Sequence, residues 1–260
     1  MTTEHEKFRV IFRWITDNIE YNKSAQNTVD AYKVVRKNKA VCQGFSNLLK
    51  EMCNLRNIPC EVITGYTKTE VGDINKKLKK TDHAWNCVQL YGKWYLVDVT
   101  WATSKYNVLT HKFMKEFDEH YFLTAPEKFI LDHFPKDKNY QFLDKLMKKS
   151  TFIKLPVYYP DYFHYNIENI SLEQGSFTWK MRDTLSISIK TNYALTSASV
   201  LINSDKYVTS VPLLIRTKVD PSGKQEQFYL IKYVFPETKE TDLTLYLNGN
   251  CITEYLIKVK

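Results

Sequence analysis

The chain has 260 residues, 43% of them apolar and 25% charged, with a net charge of +8. That is enough for one large domain or two ordinary ones with buried cores, and it excludes a disordered chain. No run approaches the ~20 apolar residues of a membrane-crossing helix, and five cysteines without a Cys-x-x-Cys pair exclude a disulfide scaffold or a zinc finger.

The positive charge is uneven: residues 1–150 carry 25 Lys/Arg against 18 Asp/Glu, and residues 151–260 carry 12 against 11. An acidic partner and a lysine-rich solvated surface both fit, the second more simply. No nucleic-acid motif accompanies the charge, and the aromatic cluster Tyr158, Tyr159, Tyr162, Phe163 and Tyr165 lies outside the basic half. No nucleic-acid partner is expected.

In chain order, residues 3–20 read as a helix. Thr3 and Glu6 form a capping box, and Phe8, Ile11, Phe12, Ile15 and Ile19 recur at helical spacing. A shorter helix is predicted from Thr28, as N-cap, through Tyr32 and Val35. A third begins at or just before Cys42, aligns Phe45, Leu48, Leu49, Met52 and Cys53 on one face, and ends near Asn57-Ile58-Pro59. The period then changes to that of strands. Cys60–Tyr66 is one, a solvated lysine-rich loop spans 68–80, and His83–Tyr91 with Trp94–Thr100 makes a hairpin about Tyr91-Gly92-Lys93. A last helix is predicted over 137–149. Helices first and strands second is an α+β order.

Beyond Leu155-Pro156 the pattern becomes all-β. Strand-like runs fall at Ser176–Lys180, Leu185–Thr191, Ser199–Asn203, Val208–Ile215, Gln227–Phe235, Leu243–Leu247 and Cys251–Val259, with turn signals at Asp220-Pro221-Ser222-Gly223 and Asn248-Gly249-Asn250. Seven short strands in about a hundred residues predict an immunoglobulin-like β-sandwich over 156–260, after a first domain over 1–155.

Three residues in the first domain carry a chemical pattern. Cys42 stands where a helix begins, and unpaired N–H groups there favour a thiolate. Gly44 just after it allows close backbone approach. His83 heads the predicted hairpin and is placed to act as base to a thiol, then as acid to a leaving group. Asp98 interrupts the apolar run Trp94–Val99, where a carboxylate needs a partner, and orienting an imidazole would supply one. Each has a plain alternative: a buried thiol, a packed histidine, a turn residue at a strand end. His5, His111, His120, His133 and His164 compete with His83, which is singled out by Asp98 on the return strand. Cys53, Cys60 and Cys87 read as small buried hydrophobes.

Taken together, these segments resemble the transglutaminase-like superfamily, and more closely its kyphoscoliosis-peptidase type, including bacterial relatives. The resemblance runs over most of residues 4–150. It includes Glu6–Ile15, Asn18–Tyr21, the Cys42-Gln43-Gly44 segment, Ile58–Val62, Asp82-His83-Ala84-Trp85-Asn86, Trp94–Trp101, Tyr121–Ile130 and His133-Phe134-Pro135. It implies a papain-like catalytic domain with a Cys42-His83-Asp98 triad, forming a thioacyl intermediate on a protein or peptide amide. The expectation is a cysteine peptidase. The alternatives are a transglutaminase that cross-links or deamidates glutamine, an idle interaction module, and, last, a peptide:N-glycanase-like deglycosylase, whose zinc-binding cysteines are missing here.

The Cys42 N–H is the expected oxyanion donor. Tyr21 and Gln43 are candidates for the second, with packing or surface roles as the alternative. Trp85 and Trp101 are expected to wall a cleft and keep it dry, Tyr66 to line it, and His133 to be a buried structural residue beneath the site. No metal or organic cofactor is implied, and the sandwich offers a surface for a protein partner. Export with a removed leader is the expected location, as in many bacterial relatives, with the cytoplasm as the alternative.

Overall fold

The computed structural model describes residues 3–107, 112–202, 208–219, 223 and 225–260. Asn203, the turn residues Asp220, Pro221 and Ser222, and the competing histidine His111 lie outside them. The protein is α+β and divides into two compact units. One comprises residues 1–67 and 78–148, the other residues 68–77 and 149–260. The division therefore falls a few residues before 155/156, and the segment 68–77 groups with the second unit.

In the first unit, helix α1 (Glu4–Asn18) carries the capping box of Thr3 and Glu6 and buries Phe8, Ile11, Phe12 and Ile15. Strand β1 (Glu20–Tyr21) follows, then helix α2 (Ala31–Lys37). The cap of α2 is Asp30, whose carboxylate accepts the Lys33 N–H at 3.0 Å. The predicted cap Thr28 is instead buried, its N–H bonded to the Ala25 carbonyl. Strand β2 (Lys39–Ala40) pairs in parallel with β1 and sets Tyr21 beside Ala40, two residues before Cys42.

Helix α3 (Cys42–Asn54) starts at Cys42, as expected, and buries Phe45, Leu48, Leu49 and Cys53. Gly44 is required here. A Cβ at that position would stand 2.4 Å from the Thr28 carbonyl oxygen and 2.7 Å from the Ala40 Cβ.

Four strands form the sheet under α3. These are β3 (Cys60–Thr67), β4 (His83–Leu90), β5 (Lys93–Val97) and, after the hairpin β6 (Ser104–Asn107) and β7 (Lys112–Lys115), strand β8 (His133–Pro135). They lie in the antiparallel order β5-β4-β3-β8. Tyr91 and Gly92 make the two-residue turn between β4 and β5, both at positive φ, as a primed hairpin turn demands. The predicted helix over 137–149 does not form. Only a 3₁₀ turn at Lys138–Gln141 appears, because Phe142 is left-handed and the Gln141 side chain bonds both the N–H and the carbonyl of Met147.

Helix α4 (Pro126–Phe129) lies in the first unit before β8; in the second unit, helix α5 (Lys149–Phe152) leads to β9 (Val157–Tyr158) and α6 (Pro160–His164). The sandwich strands follow as β10 (Asn169–Ile170), β11 (Ser176–Trp179), β12 (Thr184–Lys190), β13 (Ala198–Ile202), β14 (Thr209–Val211), β15 (Leu213–Val219), β16 (Gln225–Val234), β17 (Glu240–Leu247) and β18 (Asn250–Val259). One sheet has the order β10-β12-β16-β15; the other runs β11-β18-β17-β13-β14, with β9 also on β18.

The two opening strands go to different sheets, β10 onto β12 and β11 in parallel onto the last strand β18, as in an immunoglobulin-type sandwich. The single strand predicted over Val208–Ile215 is two. Pro212 has no N–H to give a ladder, and β14 and β15 join different sheets on either side of it. Tyr159, Tyr162, Phe163 and Tyr165 are buried in this unit's core. Among the described residues no helix is long and apolar enough to cross a membrane.

Candidate active site

Three elements of the first unit meet at Cys42. It is the first residue of α3, and Val41 before it offers no side chain to cap the helix. No side chain therefore competes for the first N–H groups of α3, although the Gly44 N–H is taken by the Val41 carbonyl at 2.8 Å, and a helix start favours negative charge. No acidic residue occupies the first turn.

His83, the first residue of β4, is the charged neighbour that most favours a Cys42 thiolate, with the Ala84 main chain adding to it. Nε2 of His83 lies 2.5 Å from Asp98 Oδ2, which leaves Nδ1 as the nitrogen available to a thiol. Asp98 itself sits just past the end of β5. Its Oδ1 accepts the N–H groups of Thr100 (2.8 Å) and Trp101 (3.0 Å), and its main-chain N–H binds the Tyr121 carbonyl. The strand expected to run to Thr100 thus stops at Val97. Asp98 is at once the turn residue and the partner of His83, two roles the sequence set against each other.

The electrostatics follow from burial and pairing. Burial pushes the Cys42 thiol up, but the hydrogen bond and charge of His83, with the Ala84 N–H, bring it below its ordinary value. Burial alone would lower His83; the Asp98 charge and hydrogen bond, then the thiolate, outweigh it and raise it to about 10. Burial likewise opposes ionisation of Asp98, yet His83 and His133 hold its carboxyl well below the usual range. A thiolate–imidazolium pair seated on a carboxylate is the protonation state this geometry favours. The other thiols differ: burial pushes Cys87 up to about 12 and Cys251 well above its ordinary value.

The remaining predicted residues separate. Tyr21 is half-buried and close enough to Cys42 for the thiolate to raise it further, after burial. Gln43 turns its amide along the helix to Asn47 Oδ1 at 2.9 Å, and Asn47 in turn holds the Val29 carbonyl. Trp101 stands 5.5 Å from the His83 ring and 4.4 Å from that of His133. Trp85, 1% exposed, is a core side chain packed on His83, Phe129 and His133 rather than a wall open to solvent. Gly65 leaves room for it, since a Cβ there would meet the Trp85 ring at 2.4 Å. Tyr66 is buried, in register with Phe134.

Of the competing histidines, His5 packs on Tyr91 and Tyr95, His120 stands beside Tyr121, and His164 lies 3.4 Å from Asp161. Lys76, Lys77, Lys79 and Lys80 are exposed, as a solvated loop requires. Lys68 is not: it is 2% exposed and donates to the carbonyls of Phe152, Ile153 and Leu155 within the second unit.

His133 is buried and hydrogen-bonded, as expected, but its partner is Asp98 itself. Its Nε2 lies 3.0 Å from Oδ2 of Asp98 and its Nδ1 lies 2.6 Å from Oδ1 of Asp132, whose other oxygen accepts the Tyr121 hydroxyl at 3.2 Å. The sequence carries a signal for Asp132 too: it follows the apolar run Phe129-Ile130-Leu131, where a carboxylate needs a partner as Asp98 does in its own run. His83, Asp98 and His133 also bring three ligand-type atoms within 4.8 Å of one another. Both imidazoles already aim an Nε2 proton at one oxygen, so a cation would have to displace two protons; the set reads as a hydrogen-bonded chain.

Residues 1–99 match the family model described as the transglutaminase-like superfamily. The human protein named kyphoscoliosis peptidase is 40% identical over 147 residues, which are 54% of this chain and 22% of that one. Hillarin of Drosophila melanogaster is 28% identical over 184 residues, 64% of this chain and 22% of its own. The LIM and transglutaminase domain protein ltd-1 of Caenorhabditis elegans is 29% identical over 201 residues, 70% of this chain and 27% of its own. The chain thus spans about a quarter of the length of these relatives.

Proposed function

Because residues 1–99 carry a domain of the transglutaminase-like superfamily, we propose that the chain is a thiol acyl-transfer enzyme acting on protein or peptide amides. One observation carries this reading: His83, whose charge favours a thiolate at Cys42, rests its Nε2 on the buried Asp98 at 2.5 Å.

The Cys42 thiolate attacks the amide carbonyl, and the oxyanion that forms is stabilised by N–H groups at the start of α3, with Tyr21 near enough to assist. His83 gives its Nδ1 proton to the leaving amine as the C–N bond breaks, which leaves a thioacyl group on Cys42. Asp98 keeps the Nε2 proton in place throughout. His83 then takes a proton from the acceptor, and the thioester is resolved. Water as acceptor gives hydrolysis of a peptide or deamidation of glutamine; a lysine amine gives a cross-link. The name of the human relative points to peptide hydrolysis, and we favour that acceptor.

Mass spectrometry of protein and peptide mixtures incubated with the wild type and with Cys42→Ala tests this. New termini, a gain of about one mass unit at glutamine and linked peptides report the three outcomes separately. The absence of any Cys42-dependent change would overturn the reading.

A further inference from the structure

His133 and Asp132 are fully buried ionisable residues that the acyl-transfer steps do not use. Their geometry constrains their protons. A carboxylate only accepts, so Asp98 Oδ2, at 2.5 Å from His83 and 3.0 Å from His133, takes an N–H from both imidazoles. The second nitrogen of His133 faces another carboxylate oxygen at 2.6 Å, which also has only acceptor sites when ionised. Asp98 accepts four hydrogen bonds in all, two from imidazoles and two from main-chain N–H groups.

We propose that His133 is a positioning residue of the proposed active site, an imidazolium held between Asp132 and Asp98 that fixes the oxygen on which His83 rests and shares its negative charge. Asp132 and His133 then form a buried ion pair whose positive end touches Asp98. This rests on the acyl-transfer reading for its purpose but not for its chemistry.

The titratable groups around His133 are Asp132 from its own segment, Asp98 after β5, His83 from β4 and Tyr121, whose hydroxyl is bound to Asp132. Trp85, Trp101 and Phe129 close the remaining sides. Burial would remove the second proton of His133, but the Asp132 charge, followed by the hydrogen bonds to both carboxylates, raises its affinity instead. Tyr121 stays protonated as a donor, because burial and the Asp132 charge both raise it.

The sharing has a direction. A positive end on Asp98 draws its charge away from His83, which eases release of the His83 proton to a leaving amine and also makes the thiolate easier to form. His133→Asn removes that positive end, and Asp132→Asn removes the charge that holds the second proton on His133. Either change leaves the surroundings of Asp98 more negative, so both limbs of the thiolate–imidazolium titration move to higher pH.

The test is the pH dependence of Cys42 alkylation by iodoacetamide, which needs no substrate. It compares wild type, His133→Asn, Asp132→Asn and the double variant, each shown to be folded by circular dichroism. Expected are upward shifts of both limbs in each single variant, a severalfold slower reaction at mildly acidic pH, and no further shift in the double variant. Unmoved limbs in the folded variants would overturn the proposal and make His133 a packing residue. Should the variants not fold, nitrogen NMR of the Cys42→Ala protein decides: two protonated His133 nitrogens at neutral pH support the proposal, and one bare nitrogen overturns it. Shifted limbs without any amide chemistry would overturn the proposed function and leave this inference standing.

Discussion

Asp98 in the first unit and Lys68 in the second are both sealed from solvent, at 0% and 2% exposure, and they are handled differently. Asp98 is met by two imidazoles that favour its charge, and it stays ionised far below the usual range. Lys68 is met by three neutral carbonyls at 2.6–3.3 Å, one for each N–H of an ammonium, and burial still lowers it to about 8. Glu254, also in the second unit, is raised by burial although Tyr159, Thr244 and Val71 donate to it. Neutral partners satisfy geometry and hold a fold; opposite charges preserve ionisation and so keep a group able to exchange protons. On the proposed function, buried charge then serves chemistry in one unit and architecture in the other.

The largest expected effects break the first half of that comparison. Cys42→Ala is expected to remove Cys42-dependent amide chemistry by about 10⁴-fold or more, and Asp98→Asn to slow it by about 10²–10⁴-fold, read as kcat/KM on a cleaved or deamidated peptide. Cys251→Ala, in the second unit, should leave the rate unchanged. At mildly acidic pH, peptide mapping after brief alkylation should find Cys42 labelled at least about tenfold faster than Cys87 or Cys251. Equal labelling would mean that the thiol is not activated.

Next are the packing and polar costs of single sites. Lys68→Met strips three carbonyls of their donor and should cost about 2–3 kcal/mol in chemical denaturation of the protein. Gly44→Ala forces a methyl against the Thr28 carbonyl, which belongs to main chain and cannot swing aside. It should cost about 1–3 kcal/mol. A neutral result for Lys68→Met would place that side chain with the surface lysines of its loop.

How far such sites are legible in sequence depends on whether local pattern or distant partners decide them. The capping box at Thr3, the start of α3 at Cys42 and the primed turn at Tyr91-Gly92 are local, and their residues announce them. Asp98 was legible because a carboxylate in an apolar run demands a partner, and Asp132 obeys the same rule. Lys68 was not legible, since a lysine among lysines gives no sign that it donates to carbonyls some 85 residues further on. The helix expected over 137–149 failed for a related reason: Gln141 bonding the main chain of Met147 replaces the ladder that periodicity implies. Pro212 did signal the break between β14 and β15, and the apolar residues on both sides concealed it.

The pH dependence of stability sharpens the comparison, with opposite signs for His83 of the first unit and Lys68 of the second between pH 8 and 10. His83 is raised from 6.5 to about 10, so its contribution is fully present below 6.5 and is lost as pH rises toward 10. Asp98 is depressed from 3.8, so its contribution is present above 3.8 and fades as pH falls. Lys68 is lowered from 10.5 to about 8; the unfolded chain binds that proton more tightly, and stability rises with pH between those values. Between 8 and 10, then, the stability gap between wild type and His83→Gln should narrow, and wild type should gain on Lys68→Met. Urea denaturation at several pH values measures both differences, each bounded by about 1.4 kcal/mol per pH unit. Slopes of the same sign would contradict the contrast between the units.

The smallest effects belong to exposed ion pairs, where the two units should not differ at all. Lys50 and Glu61 lie 2.8 Å apart in the first unit with side chains 35% and 49% exposed, and Lys190 and Glu226 lie 3.2 Å apart in the second at 43% and 39%. Water solvates all four groups, and holding two long side chains together costs entropy that offsets most of the attraction. Glu61→Gln and Glu226→Gln should each leave the urea midpoint nearly unchanged, and any loss should vanish in high salt. A salt-resistant loss at either pair would mean that solvent exposure is not what separates architectural charge from chemical charge. Equal, salt-sensitive losses would confine the difference between the units to their buried groups.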